Sequence, residues 1–320
     1  DNHSKDGSVK FIKNKYKIVI IIDNDINNYC QACNRGIQKS KGDYICLLNN
    51  DVRVKKDWLG ELVRVIKKDN SIGAVTSKLL KKDGTIQNAG LYELPNFYWN
   101  ERGAGKKGKK YNTIAEVDAI SGACVLYRQK ALENVGLLDE NFVMFGEDVD
   151  LSFRLKKKKW KLVYVPKSIA YHKFHGSCDE KFARELIERN RLLFIAKHYP
   201  FKLAEALVGN EYFIINENNK HSGRIFDFMP DIFMKLSREH GQRVIKKVVK
   251  NLFAELKRIV NYENKKIEED LKNILLDLTE TRKNRDHYKN NESRYVQDIQ
   301  RKDDIMTHYK QESSDLSNKL

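Results

Sequence analysis

The sequence predicts an α/β domain with a mainly parallel sheet and flanking helices, followed by a helical region and a long C-terminal coiled-coil helix. Through the first half of the chain, apolar β-branched runs alternate with stretches of helical spacing, which is typical of a sheet covered by helices. Pro230 is the last proline and Gly241 the last glycine, so 79 residues follow without a helix breaker.

Short apolar runs mark the strands in chain order. Residues 16–23 are apolar and β-branched, and we expect them to form a buried strand. Residues 44–48 predict a second strand, ending at Asn49-Asn50-Asp51, and residues 72–77 a third. Later strands are expected at 123–127, 162–165 and 169–171.

Three stretches between these strands have helical spacing of apolar residues, at 28–40, 57–68 and 149–158. Residues 96–112 are rich in aromatic residues, glycine and lysine, and we interpret them as a mobile surface loop that could act as a lid. Trp99 lies in this loop, where its indole could stack on a sugar or could simply pack.

The positive charge is unevenly distributed along the chain. The formal net charge is +16, but residues 263–320 hold 12 Lys/Arg against 13 Asp/Glu, so the basic excess lies in residues 1–262. Such an excess attracts anions, namely nucleic acid, phospholipid head groups or nucleotide phosphates. We find no stacking motif or reading helix for nucleic acid and predict none as a partner. No apolar run approaches the ~18 residues of a membrane span.

We expect three parts, at residues 1–178, 179–262 and 263–320. In residues 244–260, lysines alternate with a helical apolar pattern, which fits either peripheral membrane contact or a helix packed on the protein with a solvated basic face. From Ile267, steps of four and three residues meet apolar or aromatic side chains at 11 of 16 positions. This heptad pattern predicts a coiled coil joining copies or a partner, with a single charged helix as the alternative.

Three polar clusters could carry chemistry, although each also has an ordinary structural explanation. Asp51 follows a strand, where a carboxylate can hold a hard cation or make a turn. Glu147 and Asp148 lie at the start of a predicted helix. One of them could act as a general base, or both could simply stabilise the positive end of the helix dipole. His172 and His175 come at the end of a predicted strand, where they could be metal ligands or ordinary polar residues that end the strand.

The clusters occur in order with residues 1–8, 28–37, 42–51, 121–126 and 135–142. Over residues 1 to about 200, this combination resembles inverting family 2 glycosyltransferases of the GT-A (Rossmann-like) fold. Within this family, the combination is most similar to the rhamnosyltransferase-like branch, which builds bacterial surface polysaccharides. Family members begin with a strand and helix that precede Asp1 here, so the resemblance suggests an N-terminally truncated domain whose first strand is missing.

The resemblance implies a role for each matching residue. Asp148 would be the catalytic base, with Glu147 beside it. Asp51 and His172 would hold Mg²⁺ or Mn²⁺ on the donor diphosphate; Asn49 replaces the first carboxylate of the usual motif. The remaining candidates would contact the nucleotide (Asp1, Asn34, Arg35, Asn50) or the donor sugar and acceptor (Ser121, Gly122, Ala123, Trp99).

The leading hypothesis is therefore a metal-dependent inverting glycosyltransferase that uses a UDP- or dTDP-linked sugar and a glycan or lipid-linked acceptor. The alternatives are a non-catalytic sugar-nucleotide-binding scaffold oligomerised by the coiled coil and a nucleotidyltransferase on a similar fold. Five cysteines are an odd, sparse set that fits a reducing cytoplasm, and the inner face of the plasma membrane is one possible site of action. Cys30-x-x-Cys33 has no second cysteine pair and weakly indicates zinc or redox chemistry.

Overall fold

The computed structural model describes residues 1–173, 180–208 and 229–260. The chain divides into two compact units, Asp1–Phe194 and Ile195–Leu320. The coiled coil expected over residues 263–320 lies outside the described residues, as do His175 and Cys178. The three-part division at residues 178 and 262 stays a prediction.

A seven-stranded sheet forms the centre of the first unit, and a separate two-stranded hairpin lies beside it. The strands are β1 (Tyr44–Leu48), β2 (Val52–Val54), β3 (Ile72–Leu80), β4 (Ile86–Asn88), β5 (Leu91–Leu94), β6 (Tyr98–Glu101), β7 (Ala115–Glu116), β8 (Cys124–Arg128) and β9 (Lys161–His172). The main order is β1-β8-β3-β9-β2, with β4 beside β3 and β7 beside β9, while β5 pairs with β6.

The α/β fold class is confirmed, but the sheet is mixed rather than mainly parallel. β3 and β9 pair in parallel, whereas β8 lies antiparallel between β1 and β3 and β2 pairs antiparallel with β9. A short apolar run predicts a buried strand, yet it carries no information about the direction in which that strand runs. The sequence therefore located β1, β3, β8 and β9 without determining their orientations. It predicted β9 as two strands, at 162–165 and 169–171, and it missed the other five strands, which are short.

The strand predicted at residues 16–23 is wrong in this structure. The segment has a turn at residues 17–18 and pairs with no described strand, and Ile18 is 95% and Ile20 83% exposed. An apolar β-branched run becomes a stable strand only where another strand offers it a ladder of hydrogen bonds and a face to cover. The helix α1 (Ser8–Lys15) precedes this segment.

The helices at 28–40, 57–68 and 149–158 are confirmed. α2 (Tyr29–Lys39) begins where the Asn28 side chain accepts a hydrogen bond from the Gln31 backbone N–H. α3 (Trp58–Ile66) buries Leu62, Val65 and Ile66 in the core that covers β3 and β9. The other helices of this unit are α4 (Gln129–Val135), α5 (Glu147–Lys157) and α6 (Glu180–His198), whose last residues enter the second unit.

The segment 96–112, expected to be an unstructured loop, is partly regular. Tyr98–Glu101 is β6, and the Lys78 ammonium donates hydrogen bonds to the Gly108 carbonyl and to Asn112 Oδ1. Tyr164 Oη also donates to the Tyr111 carbonyl at 2.8 Å. These bonds come from β3 and β9, which are distant in sequence, so local composition could not reveal them.

The second unit contains α7 (Leu203–Val208) and α8 (Met229–Val260), which is kinked at Gly241, where φ is 73°. Ile245, Val248 and Val249 are buried, whereas Lys246 and Lys250 are exposed. The basic amphipathic stretch is thus a packed helix with a solvated basic face. In the described parts of the chain, no helix is both long and apolar enough to span a membrane.

Replacing Gly73 or Gly60 with alanine should change the free energy of unfolding in opposite directions. A Cβ at Gly73 in β3 would lie 2.8 Å from Trp160 Cβ and 3.3 Å from Ala131 Cβ, whereas one at Gly60, in the first turn of α3, would meet nothing within 4 Å. We expect Gly73→Ala to lower the free energy of unfolding by about 1–3 kcal/mol through overpacking. Gly60→Ala should raise it by up to about 1 kcal/mol through helix propensity. Urea unfolding measures both; equal effects would contradict the packing described for β3.

Candidate active site

A carboxylate and an imidazole meet where β2 pairs with the end of β9. Val52 lies opposite His172 in the antiparallel register, and the Lys173 backbone N–H donates to the Asp51 carbonyl. This pairing brings Asp51 Oδ1 to 3.1 Å from His172 Nε2. The two residues that the sequence suggested as metal ligands are therefore adjacent, although 121 positions separate them.

The Asp51–His172 pair fits a divalent ion. Two ligands about 2.1 Å from an octahedral ion, at right angles to each other, lie about 3 Å apart, close to the separation seen here. Burial lowers the pKa of His172, against the opposing effect of Asp51, and so favours the neutral imidazole that binds metals. In the described ranges no group of three or more His, Cys, Asp or Glu could hold an ion, so an ion at this pair would need further ligands.

Three carboxylates in the first turn of α5 have different surroundings. Asp148 accepts the Gly122 N–H through Oδ2 (2.9 Å) and the Val149 N–H through Oδ1 (2.8 Å). Asp150 is fully buried and pairs with Arg154. Glu147 is 5% exposed, and its buried Oε2 has no hydrogen-bond partner among the described residues. Asp150 thus has a structural role, which leaves Glu147 and Asp148 for chemistry.

The pKa values of Glu147 and Asp148 are both raised, mainly because burial disfavours their charged forms. The Asp148 carboxylate raises the pKa of Glu147 further. The backbone N–H groups of Gly122 and Val149 oppose this effect only for Asp148. Asp148 is therefore the better placed of the two to carry the negative charge.

The loop 121–123 connects the Asp51–His172 pair to these carboxylates. The Asn49 N–H donates to the Ala123 carbonyl at 2.9 Å, two residues before Asp51. The Gly122 N–H holds Asp148, and a Cβ at Gly122 would lie 3.5 Å from Asp148 Cβ and 3.7 Å from Tyr29 Oη. Tyr29 in turn donates to Asn49 Oδ1 at 3.0 Å. Ser121, Gly122 and Ala123 thus lie between the two halves of the site.

The segment before α5 has an unusual backbone. Its left-handed φ values are 64° at Val143, 69° at Phe145 and 82° at Gly146. Such a φ is a genuine outlier for a β-branched valine and is stable only where the surroundings enforce it. Asn190 of α6 supplies that constraint: it is 1% exposed and donates to the carbonyls of Phe142 and Met144 (2.8 Å each) and Phe145 (2.6 Å).

Two of the suggested nucleotide contacts meet at one segment. The Asp1 carboxylate accepts the Ser4 N–H, and the Asp1 carbonyl accepts the Asn24 N–H. The Arg35 guanidinium donates to the Asp23 carbonyl and to Asp25 at 2.7 Å. Asp1 and Arg35 therefore both bind the segment 23–25, Asp1 at Asn24 and Arg35 at Asp23 and Asp25.

The remaining candidates are more dispersed. Asn34 is buried, and its amide exchanges hydrogen bonds with the backbone of Leu138, so it holds the loop before α5. Asn50 is exposed, and the Trp99 ring packs edge to face against Phe194. Burial raises the pKa of Cys33 to about 11 and raises that of Cys30 as well, so both are neutral thiols at neutral pH.

The sequence analysis missed Asn190 and the bond from Tyr29 to Asn49. Tyr29 lies in one of the segments that carried the resemblance, but nothing local indicates where its hydroxyl points. Asn190 lies 42 positions after Asp148, in a charged stretch of helix. A single amide side chain among the charged and apolar residues 180–191 was the one available signal.

The chain is similar in sequence to known glycosyltransferases. Residues 1–136 match the family model Glycosyl transferase family 2. The O-antigen biosynthesis protein RfbC of Myxococcus xanthus is 29% identical over 182 residues, which is 54% of this chain and 14% of that protein. An N-acetylglucosaminyl-diphospho-decaprenol L-rhamnosyltransferase of Mycobacterium tuberculosis is 26% identical over 203 residues, which is 55% of this chain and 66% of that protein.

A crystal structure of GalNAc-T7 with UDP, GalNAc and Mn²⁺ shares the fold, with a TM-score of 0.50 and 18% identity over 75% of this chain and 48% of that one. The fold is thus the GT-A fold. Residues 1–136 are a glycosyltransferase family 2 domain, and the chain is similar to relatives of the rhamnosyltransferase type. It spans 14% and 66% of the lengths of the two curated relatives.

Glu147→Gln should stabilise the protein increasingly as pH rises. Because the folded state raises the pKa of Glu147, wild type loses stability once the unfolded chain releases a proton that the folded protein keeps. We expect the variant's advantage in free energy of unfolding to grow by about 1 kcal/mol or more between about pH 5 and about pH 8. Urea titrations at both values measure it. A pH-independent difference would contradict the burial of this carboxyl.

Asn190→Ala should destabilise the protein because three carbonyls of the strained segment lose their shared donor. The expected loss is about 1–3 kcal/mol in free energy of unfolding. Asn141→Ala is a matched control, since its exposed amide bonds Asp139, and it should stay within about 0.5 kcal/mol of wild type. Equal losses in thermal or urea unfolding would show that Asn190 does not hold this segment.

Proposed function

We propose that this chain is a metal-dependent inverting glycosyltransferase. It moves a sugar from a UDP- or dTDP-linked donor to a glycan or lipid-linked acceptor in surface polysaccharide synthesis. One observation carries the proposal: the loop 121–123 bonds both the strand end before Asp51 and the carboxylate of Asp148. A site for a donor diphosphate and a site for a base are thereby attached to the same three residues.

Asp51 and His172 are the groups that would hold Mg²⁺ or Mn²⁺. When bound, such an ion neutralises charge on the departing nucleoside diphosphate. The basic excess of residues 1–262 supports the same substrate class, because it attracts an anionic donor. The solved GalNAc-T7 complex contains UDP and Mn²⁺, so this pair of ligands is a rational first choice for tests.

Asp148 is the proposed general base. Inversion needs a single displacement in which the acceptor hydroxyl loses its proton as it attacks the anomeric carbon. Each Asp148 oxygen accepts one backbone N–H, so each keeps a lone pair for the acceptor proton. The N–H groups also fix the orientation of the carboxylate, and the N-terminus of α5 favours its negative charge.

One further observation supports a displacement without a covalent intermediate, and another predicts its pH dependence. The buried cysteines near Glu147 are neutral thiols, which are poor nucleophiles compared with thiolates. Burial raises the pKa of Asp148, so the charged base is lost at a higher pH than for an ordinary aspartate. Transfer should therefore fall on acidification, starting above the usual aspartate range.

Assembly through residues 263–320 and action at the inner face of a membrane complete the proposal, and both rest on the sequence alone. The exposed lysines of α8 provide an anion-attracting face for such a contact. The scaffold alternative keeps nucleotide binding but predicts no transfer, so turnover separates it from the enzyme.

Asp148→Asn should lower transfer by about 10²–10⁴-fold, because the amide cannot accept the acceptor proton. The affinity for the nucleoside diphosphate should not change, since Asp148 is not one of the proposed metal or nucleotide ligands. A panel of UDP- and dTDP-sugars with Mn²⁺ measures transfer or donor hydrolysis, and calorimetry measures binding.

Asp118→Asn is the control for this variant, because Asp118 is an exposed carboxylate whose bond to Lys156 lies on the surface. It should turn over like wild type. Undiminished turnover by Asp148→Asn would exclude Asp148 as the base, whereas nucleotide binding without turnover by wild type on any donor would favour the scaffold.

A further inference from the structure

The exposed side of α8 beyond the kink at Gly241 is strongly basic. The fourteen residues 241–254 contain four Lys or Arg and no Asp or Glu. All four cations are exposed, and they are Arg243, Lys246, Lys247 and Lys250. Steps of three and four residues place them on one side of the helix, over about 10 Å of its length. We call these four residues the basic face.

Two neighbouring carboxylates each bind a lysine outside the basic face. Glu239, one turn before Arg243, lies 3.1 Å from the Lys235 ammonium. Glu205 of α7, the helix that packs against α8, lies 2.7 Å from the Lys202 ammonium. Like charges three and four residues apart on a helix repel one another, so the basic face favours an anionic partner.

The opposite side of the same helix segment is already covered by protein. Ile245, Val248 and Val249 are buried, and so are Leu203 and Leu207 of α7. The apolar residues of α8 therefore need no lipid to cover them. A partner of the basic face would be held at the surface by electrostatic attraction, without insertion of the helix.

An exposed aromatic ring continues the basic face. Phe201 lies in the short 3₁₀ helix Pro200–Lys202 and is 47% exposed. The Lys247 ammonium is 4.7 Å from the centre of the Phe201 ring, so the ring and the cations form one surface. Such a combination matches the headgroup region of a bilayer, where an ammonium meets phosphates and an apolar ring meets the acyl boundary.

We propose that this surface of the second unit binds the anionic headgroups of a phospholipid bilayer. Its residues are Phe201 and the basic face. The inference rests on the membrane action included in the proposed function and assigns that action to particular residues. A bilayer is favoured over nucleic acid because lipid offers phosphates together with an apolar layer, and the surface presents cations together with an exposed ring.

The test measures binding of the full chain to vesicles by co-sedimentation, without nucleotide or sugar. One preparation contains phosphatidylcholine alone, and the other also contains phosphatidylglycerol. The double variant Lys246→Gln/Lys250→Gln removes two charges of the basic face, and Lys246→Arg/Lys250→Arg keeps them. Lys67→Gln/Lys68→Gln is the matched control, because these lysines are exposed at the end of α3 in the first unit.

We expect wild type to bind the phosphatidylglycerol vesicles and to dissociate as salt rises from about 0.1 M to about 0.5 M. Each cation near an anionic surface strengthens binding about fivefold, so Lys246→Gln/Lys250→Gln should weaken it about tenfold or more. The arginine variant and the control should stay within about twofold of wild type, since distant charges are screened. Phe201→Ala should weaken binding about threefold and keep the salt dependence, because it removes apolar contact and no charge.

Equal binding to both vesicle types would overturn the proposal, and so would an equal loss in the two glutamine variants, which would show an effect of net charge alone. A duplex oligonucleotide that binds through Lys246 and Lys250, while the vesicles do not bind, would assign the surface to nucleic acid and overturn it as well. Because no nucleotide or sugar is present, failure of lipid binding leaves the proposed transfer intact. Equally, a chain without transfer activity can still bind the bilayer.

Discussion

The hydrogen bond from the Gly122 backbone N–H to the Asp148 carboxylate is the contact on which the arrangement of the site depends. It joins the loop before β8 to the first turn of α5, and the next residue of that loop accepts the Asn49 N–H. A side chain at position 122 would point at Asp148, Glu147 and Tyr29, at 3.5–3.7 Å. Because Gly122 has no side chain, the loop can lie close to both halves of the site, the strand end before Asp51 and the first turn of α5.

This arrangement places charge where the fold disfavours it. Glu147 and Asp148 lie side by side with little solvent, and the backbone leading to them is held in left-handed conformations. Both features cost stability and must be offset elsewhere. Asn190 contributes through the carbonyls that it binds, and Arg154 contributes by binding Asp150 and the carbonyls after α4. The carboxylate at the centre is thus held by groups that take no part in the proposed chemistry.

The sequence predicted the features that are local. α2, α3 and α5 have amphipathic or capped patterns that fix their positions, and the motif residues Asp51, Asp148 and His172 came from the family resemblance. The direction of β8 and the exposure of residues 16–23 depend on which strands pair, which a single apolar run does not encode. Asn190 was missed for a related reason, because its significance comes from partners that lie far away in sequence.

The central claim is that Asp51 and His172 form the metal end of a donor site. Calorimetric titration of UDP and of dTDP, with and without Mn²⁺, tests it most directly on wild type and Asp51→Ala. The account predicts that Mn²⁺ strengthens binding of at least one nucleotide to wild type and that Asp51→Ala loses this dependence. Binding that is indifferent to Mn²⁺, or that Asp51→Ala retains in full, would contradict it.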